Sequence, residues 1–251
     1  MADCLEDQFS LNAADNILSV RRGVQLFRNT SFNTSIEPVS GNEVRKIIKS
    51  LKLSKAPEYD EVINSMTKQL PCRYANHLVS IYNSGLRSQH FPESWKKAEV
   101  VTIPKKGKDS KIPQNCPPIS LLSCLGKVYE NRLNSQVNAN NLVPEEQFGF
   151  MPGRSTTHQL LRLTEYITSG LELKCSTVAT FLDISKAYDS TWHTGLIYKL
   201  IQMNLPGELI RLIDSFLAHR SFRVKMDKAV SGWRPMLARC YAGLYVISVA
   251  I

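Results

Sequence analysis

The stretch TVATFLDISKAYDSTWH, Thr177–His193, joins an apolar, β-branched run to a carboxylate. The run over 177–182 predicts a strand that ends at Asp183. Apolar residues at helical spacing over 196–201 then predict a helix. A strand that delivers an Asp at its carboxyl end can offer an oxygen ligand to Mg²⁺. The alternative is structural, because Asp also caps helices and Asp183 precedes one.

The composition describes a basic globular chain of 251 residues, with 43% hydrophobic and 21% charged residues and a net charge of +9. Such a balance excludes a disordered chain and favours nucleic acid or another anionic partner. The six cysteines form no zinc spacing, so we expect reduced, mostly buried thiols. The first residues are acidic rather than a signal peptide, and no apolar run is long enough to span a membrane.

Capping and periodicity predict helices on both sides of the Asp183 stretch. Ser40 and Glu43 form a capping box before a helix that ends near Lys55. A second helix is predicted over 73–87 with one buried face. Further helices are predicted over 125–137 and 209–216, and alternation over 222–226 predicts a half-buried strand. The spacing predicts that Leu78, Ile81 and Tyr82 form the buried face of the second helix.

Lysines crowd the segment WKKAEVVTIPKKGKDSK, which contains a predicted strand over 100–103. A basic hairpin of this kind can hold phosphates, and the alternative is a solvated lysine-rich loop. Further along, QFGFMPGRSTTHQL (147–160) predicts a tight loop at Gly149 and Gly153. Its polar side chains offer donors to phosphate, or Ser155 or Thr156 caps the helix that follows.

Together these motifs resemble the reverse transcriptases of non-LTR retrotransposons, the jockey-like group. FLDISKAYD is similar to that family's first catalytic motif. WKKAEVVTIPKKGKD, PISLL and GKV are similar to its fingers, and QFGFMPGRST is similar to its Q-x-G-F-x-x-G-R-S-T loop. The resemblance extends from about Glu37 to Pro235.

The resemblance implies roles for individual residues. Asp183 would be catalytic, as the first of three carboxylates that bind two Mg²⁺ ions, and Tyr188 would lie under the sugar of the incoming nucleotide. The implied roles of Asp189 and His193 are open, and a polar helix face is the alternative. The implied nucleotide-binding residues are Lys105, Lys106, Ile184, Ser185, Lys186, Ala187 and Tyr188, and the implied template contacts are Lys96, Lys97, Lys108, Arg154, Ser155 and Thr156.

The sequence departs from the family pattern at several points. Glu58 replaces the usual glycine, and Pro117 replaces an arginine that would grip phosphate. After Pro235 the family's P-Q-G segment and A-D-D hairpin, which supplies the other two carboxylates, have no counterpart among the 251 residues. We therefore expect a truncated enzyme whose last residues read like a shifted frame.

The expected fold is α+β, a right-hand polymerase with fingers and an incomplete palm, rich in helices and with a small antiparallel sheet. The expected divisions are a linker over 1–35, fingers over 36–175, a partial palm over 176–235 and a divergent tail over 236–251. An unpaired sheet edge is expected beside the Asp183 strand.

The predicted function is that of a fragment of an RNA-directed DNA polymerase, inactive by itself, with RNA template, DNA primer and deoxynucleotides as partners and an intracellular location without a membrane. Its cofactor would be Mg²⁺, bound weakly here because Asp183 alone cannot fix two ions. The alternatives are a non-enzymatic nucleic-acid-binding protein and a relic that folds poorly. A cellular or group II intron enzyme is a variant of the first hypothesis.

Overall fold

A computed structural model describes residues 1–8, 18–32, 36–53, 59–103, 107, 118–140, 144–149, 151, 153–183, 189, 191–226 and 229–238. Its strands in chain order are β1 (Lys97–Thr102), β2 (Pro118–Leu122), β3 (Ser221–Met226), β4 (Ala229–Val230) and β5 (Arg234–Pro235). A short 3₁₀ helix precedes β1 at Glu93–Trp95. Its α-helices are α1 (Ala2–Gln8), α2 (Leu18–Asn29), α3 (Gly41–Ser50), α4 (Asn64–Lys68), α5 (Cys72–Ser88), α6 (Cys124–Ala139), α7 (Thr156–Glu172), α8 (His193–Gln202) and α9 (Gly207–Leu217).

Most of the helices share one hydrophobic core. Helices α2, α3, α5, α6, α8 and α9 all contribute buried side chains to it. An aromatic group lies at its centre, where Tyr82 and Tyr129 stack at 5.4 Å between ring centroids and Phe91 meets Phe216 edge to face at 4.9 Å. Aromatic pairs of this kind stabilise a core beyond the area that they bury.

The prediction that residues 1–35 form an irregular linker was wrong for α1 and α2. Helix α2 packs against α8, and its Val20 and Val24 are buried at helical spacing. Gly23 allows the close approach, because a Cβ there would lie 3.0 Å from the ring of Tyr198. Leu5 of α1 belongs to a second core below the sheet. The polar residues between these apolar positions had hidden a helical period.

The sheet is mixed rather than antiparallel. Strand β1 pairs antiparallel with β2 and parallel with β3, with Glu99 opposite Arg223 in the parallel pair. On its other edge β3 pairs antiparallel with both β4 and β5. One face carries the second core, which includes Ala98, Val100, Phe222 and Val224. The parallel pair needs a long crossover, which the helices between β2 and β3 supply.

Most predicted helices and strands are present. The capping box is confirmed, since Ser40 accepts a hydrogen bond from the Glu43 amide and Glu43 reaches back to the Ser40 amide. The helices predicted over 73–87, 125–137 and 209–216 correspond to α5, α6 and α9, and the strands to β1 and β3. On α5, however, Ile81 is exposed whereas Leu78 and Tyr82 are buried.

The strand predicted over 177–182 does not form. Residues 176–183 carry no strand assignment, and Val178 and Leu182 are 88% and 89% exposed. The chain reverses after α7 at Lys174, whose φ is 56°, and the Cys175 amide bonds the Gly170 carbonyl. β-branched residues favour a strand only where neighbours pack and pair with it, and in the described part of the chain β1–β5 pair among themselves.

The structure also bears on the expectations for the cysteines and for membrane-spanning helices. Of the cysteines that the structure describes, Cys4, Cys72, Cys124 and Cys175 are free thiols, but only Cys124 is buried. Among the described helices, none combines the length and the apolar character needed to cross a bilayer. The apolar tail over 242–251, Glu58, Pro117 and the turn at Asp227 and Lys228 lie outside the described residues.

Candidate metal and nucleic-acid site

Asp183 ends an exposed extended segment rather than a sheet strand. Its side chain is exposed, and no hydrogen bond or ion pair joins it to another described residue. The alternative role, that of a helix cap, is not supported, because α8 begins at His193 and its N-cap is Trp192. The carboxylate is therefore accessible to solvent, and helix capping does not account for an Asp at this position.

The described residues supply no complete set of metal ligands with Asp183. Across the described ranges, no group of three or more His, Cys, Asp or Glu side chains could hold a metal. A tightly bound Mg²⁺ needs carboxylates that converge with fixed geometry. The described residues therefore do not fit a two-ion centre by themselves, and Asp183 offers a single ligand.

The loop before α7 is organised by Arg154. Its Nη1 donates to the carbonyls of Glu145 and Gln147, both at 2.6 Å, and the guanidinium lies 5.4 Å from the centre of the Phe148 ring. Gly153 has a φ of 75°, as the predicted tight loop requires. Arg154 thus fixes the loop from inside, and only its remaining N–H groups are left for a phosphate.

Ser155 caps α7. Its hydroxyl accepts a hydrogen bond from the His158 amide at 3.3 Å, as the structural alternative stated. Thr156 is the exposed first residue of α7. One turn further on, Arg162 binds Glu146 at 3.4 Å. The pKa of Glu146 is lowered by a hydrogen bond from its own backbone amide and then by Arg162, so this acid stays charged beside the loop.

Lys96 requires a correction. Its side chain is 2% exposed and its ammonium binds Glu93 at 2.7 Å, so it is not available to a template phosphate. The 3₁₀ turn at Glu93–Trp95 places the two charges one turn apart, which the sequence spacing alone had not indicated. Lys97, the next residue, points to the opposite side and is exposed.

Lys97 belongs to a cluster that the sequence analysis missed. Its Nζ lies 5.3 Å from the centre of the Trp233 ring, and the guanidinium of Arg223 lies 5.1 Å from the same ring. Buried Glu99 accepts from Arg223 at 2.7 and 3.0 Å and from Lys225 at 3.2 Å. The alternation of Arg223 and Lys225 in β3 was visible in the sequence, but their meeting with β1 depends on the parallel pairing.

The other predicted contacts lie outside the described residues. These are the nucleotide-binding residues Lys105, Lys106, Ile184, Ser185, Lys186, Ala187 and Tyr188, and the template contact Lys108. Asp189 and His193 are described, and both make interactions, but neither joins Asp183 in a group that could hold a metal.

Comparison with known proteins identifies the class. The model of the family "Reverse transcriptase (RNA-dependent DNA polymerase)" matches residues 103–246, more than half of the chain. The chain therefore belongs to the reverse transcriptase family.

Its relatives sharpen this identification. The chain is 40% identical over 207 residues to the probable RNA-directed DNA polymerase from transposon BS of Drosophila melanogaster, which covers 81% of this chain and 23% of the relative. It is 35% identical over 226 residues to the RNA-directed DNA polymerase from mobile element jockey of the same fly, covering 88% of this chain and 25% of the relative. The resemblance to the jockey-like group of non-LTR retrotransposons is confirmed, and the chain spans about a quarter of the length of these relatives.

Proposed function

We propose that this chain forms the nucleic-acid-holding region of an RNA-directed DNA polymerase from a non-LTR retrotransposon and contributes one catalytic carboxylate, Asp183. Its substrates would be an RNA template, a DNA primer and deoxynucleotides. The fingers and partial palm of a right-hand polymerase are the corresponding architecture. The relatives named above are polymerases of this kind, and they are about four times longer than the matched segment.

The observation that carries the proposal is the isolation of Asp183. The side chain is exposed, and among the described residues Asp183 belongs to no group of three or more His, Cys, Asp or Glu side chains that could hold a metal. Phosphoryl transfer by two metal ions needs both ions fixed about 4 Å apart. We therefore expect that a polypeptide of these 251 residues does not extend a primer.

The nucleotide contacts remain part of the proposal. Lys105 and Lys106 would bind the triphosphate, 184–187 would line it and Tyr188 would lie under the sugar. Lys97, Lys108 and the loop held by Arg154 would follow the template. The hydrogen bonds from Arg154 to the Glu145 and Gln147 carbonyls support a template role for this loop, because they hold the chain just before α7 in a fixed conformation.

Primer extension tests the proposal directly. We expect no extension by the purified 251-residue chain on an RNA template with a DNA primer, deoxynucleotides and Mg²⁺, although it binds the template–primer. Extension that Asp183→Asn abolishes would contradict the proposal, because the chain would then contain a complete centre.

The binding arm of the test uses charge. If about five phosphates are contacted, affinity should fall roughly 500-fold between about 50 and 200 mM salt. Replacing Lys105, Lys106 and Lys108 together by Gln should lower the slope of log affinity against log salt by roughly 3. The matched control replaces the exposed Lys46, Lys49 and Lys68 of α3 and α4, which changes the net charge equally. Equal losses of affinity in both triple variants would mean that the chain binds nucleic acid only through its net charge, and not through these three lysines.

A non-enzymatic nucleic-acid-binding protein is the second candidate. The buried cores favour it over a relic that folds poorly, because a chain with two hydrophobic cores should unfold cooperatively. The two candidates differ when the missing ligands are restored. Joining the chain to the region that carries the A-D-D hairpin in a relative should recover extension only if the chain retains polymerase geometry.

A further inference from the structure

The outer face of the sheet carries an aromatic residue surrounded by cations. Trp233 lies between β4 and β5, with Lys97 and Arg223 within 5.3 and 5.1 Å of its ring centre. Tyr59 meets the same ring edge to face at 5.7 Å between centroids. We call Tyr59, Lys97, Arg223, Lys225 and Trp233 the tryptophan platform.

The sheet register determines where the cations stand. In the parallel pair Lys97 lies opposite Ser221 and Glu99 opposite Arg223, so Lys97 and Arg223 project from the same face. The Lys97 ammonium and the Arg223 guanidinium lie 5.3 and 5.1 Å from the centre of the indole ring. Trp233 nevertheless remains 41% exposed, and a Cβ built on the neighbouring Gly232 would meet nothing within 4 Å. Part of the Trp233 side chain is therefore accessible to solvent beside these contacts.

The platform is held in place from below. Glu99 is 2% exposed, and its carboxylate binds both Arg223 and Lys225. This buried acid fixes the two cations while one negative charge is shared between them. Lys225 stays 46% exposed and Lys97 is exposed, so both ammonium groups can reach solvent beside the ring. The result is a preorganised surface with a flat, partly exposed ring and a positive rim.

We propose that the tryptophan platform binds single-stranded nucleic acid, with a base stacked on the exposed part of the Trp233 ring and the flanking phosphates on Lys97 and Lys225. This inference rests on the proposed function and adds a contact surface to it. Aromatic rings beside cations bind single strands because every base offers a flat face and every linkage a charge. A duplex keeps its bases stacked inside and would meet only the cations.

Binding of a labelled single strand tests the platform. The probes are a 12-nucleotide oligouridylate, the corresponding oligothymidylate, an abasic strand of equal charge and a blunt duplex, each followed by fluorescence anisotropy with the full 251-residue chain. Trp233→Ala should weaken binding to both base-containing strands roughly 5- to 100-fold and leave the abasic strand and the duplex within about twofold. Trp233→Phe should retain most of the affinity, because it keeps a ring.

Two controls separate stacking from other effects. Tyr74→Ala removes another exposed aromatic ring, on α5, and should change the binding of no probe. Lys97→Gln and Lys225→Gln should each lower the salt slope by roughly 1 for all charged probes. Arg223 is left unchanged, since its removal would leave Glu99 buried beside a single cation.

The outcomes distinguish this inference from the proposed function. If the unaltered chain binds the single strands but Trp233→Ala and Trp233→Phe bind them equally well, the platform is wrong and the proposed function stands. If the unaltered chain binds no nucleic acid, both are wrong. A loss confined to oligouridylate would assign the platform to RNA, and one confined to oligothymidylate to DNA.

Discussion

Helices α9 and α7 both carry apolar residues at helical spacing, but only α9 is covered by neighbouring elements. Seven of the residues of α9 are buried, including Leu212, Ile213 and Phe216. None of the residues of α7 is buried, although it is longer and carries apolar residues at helical spacing. Periodicity shows that a helix has an apolar face, and only a neighbouring element decides whether that face is covered.

The residues that stabilise the fold and the residues that resemble the catalytic motif lie in different parts of the chain. The core that includes α9 holds the aromatic cluster and most of the buried side chains. The segment from α7 to Asp183 carries the resemblance to the catalytic motif but contributes no residue to either hydrophobic core. We therefore expect substitutions in the core to affect folding strongly, and substitutions in α7 to affect it little.

The largest effect should come from the centre of the core. Phe216→Ala removes a ring that packs edge to face on Phe91 and lies under the Arg220 guanidinium, and it should lower the free energy of unfolding by about 3–5 kcal/mol. Tyr166→Ala, on α7 where the ring is 75% exposed, should change it by less than about 0.5 kcal/mol. Urea denaturation measures both, and similar losses would mean that α7 is packed in solution.

A smaller effect is expected where two core elements nearly touch. A Cβ at Gly85 would lie 2.6 Å from the Tyr129 hydroxyl and 2.9 Å from the His90 carbonyl oxygen, so Gly85→Ala should cost about 1–3 kcal/mol. The matched change is Gly41→Ala at the start of α3, where the nearest atom is 3.6 Å away. Thermal melts that rank Gly41→Ala as the worse of the two would contradict this packing.

The smallest effect concerns the capping box of α3 and depends on pH. Hydrogen bonds with Ser40, first that from its backbone amide, lower the pKa of Glu43 in the folded chain below the ordinary glutamate value of 4.5. A lowered pKa means that the stabilisation is complete above pH 4.5 and is lost as the pH falls through the folded value. Ser40→Ala should cost about 1 kcal/mol near neutral pH.

Thermal melts at several pH values check the cap. The gap in melting temperature between the unaltered chain and Glu43→Gln should be constant above pH 4.5 and close below it. In the Ser40→Ala background the gap should shrink only in part, because alanine removes the hydroxyl but keeps the Ser40 amide that the Glu43 carboxylate accepts from. If this difference in melting temperature persists at about pH 3, the negative charge of Glu43 does not contribute to the stabilisation by the cap.

Sequence reasoning predicted what is local. The helices over 73–87, 125–137 and 209–216, the Ser40 capping box and the strands of β1 and β3 follow from spacing and capping residues. It failed for α2, whose Val20 and Val24 lie among polar residues, and for Ile81, which turns to solvent. For the site, it identified the Arg154 loop and the capping role of Ser155.

It failed where partners far along the chain decide the outcome. The platform depends on the parallel pairing of β1 with β3, more than 100 residues apart. The burial of Lys96 was missed for a local reason, the 3₁₀ turn that brings Glu93 to its ammonium. The expected strand before Asp183 is absent, and the described residues 177–183 pair with none of the strands β1–β5.

The sequence by itself determined the family, through ordered motifs over most of the chain, and the positions of most helices, through local spacing. The tertiary structure alone decided the mixed sheet, the packing of α2 on α8 and the meeting of Trp233 with Lys97 and Arg223. The physical reason is that hydrogen bonding within a helix is local, whereas strand pairing and burial require surfaces from distant segments to meet.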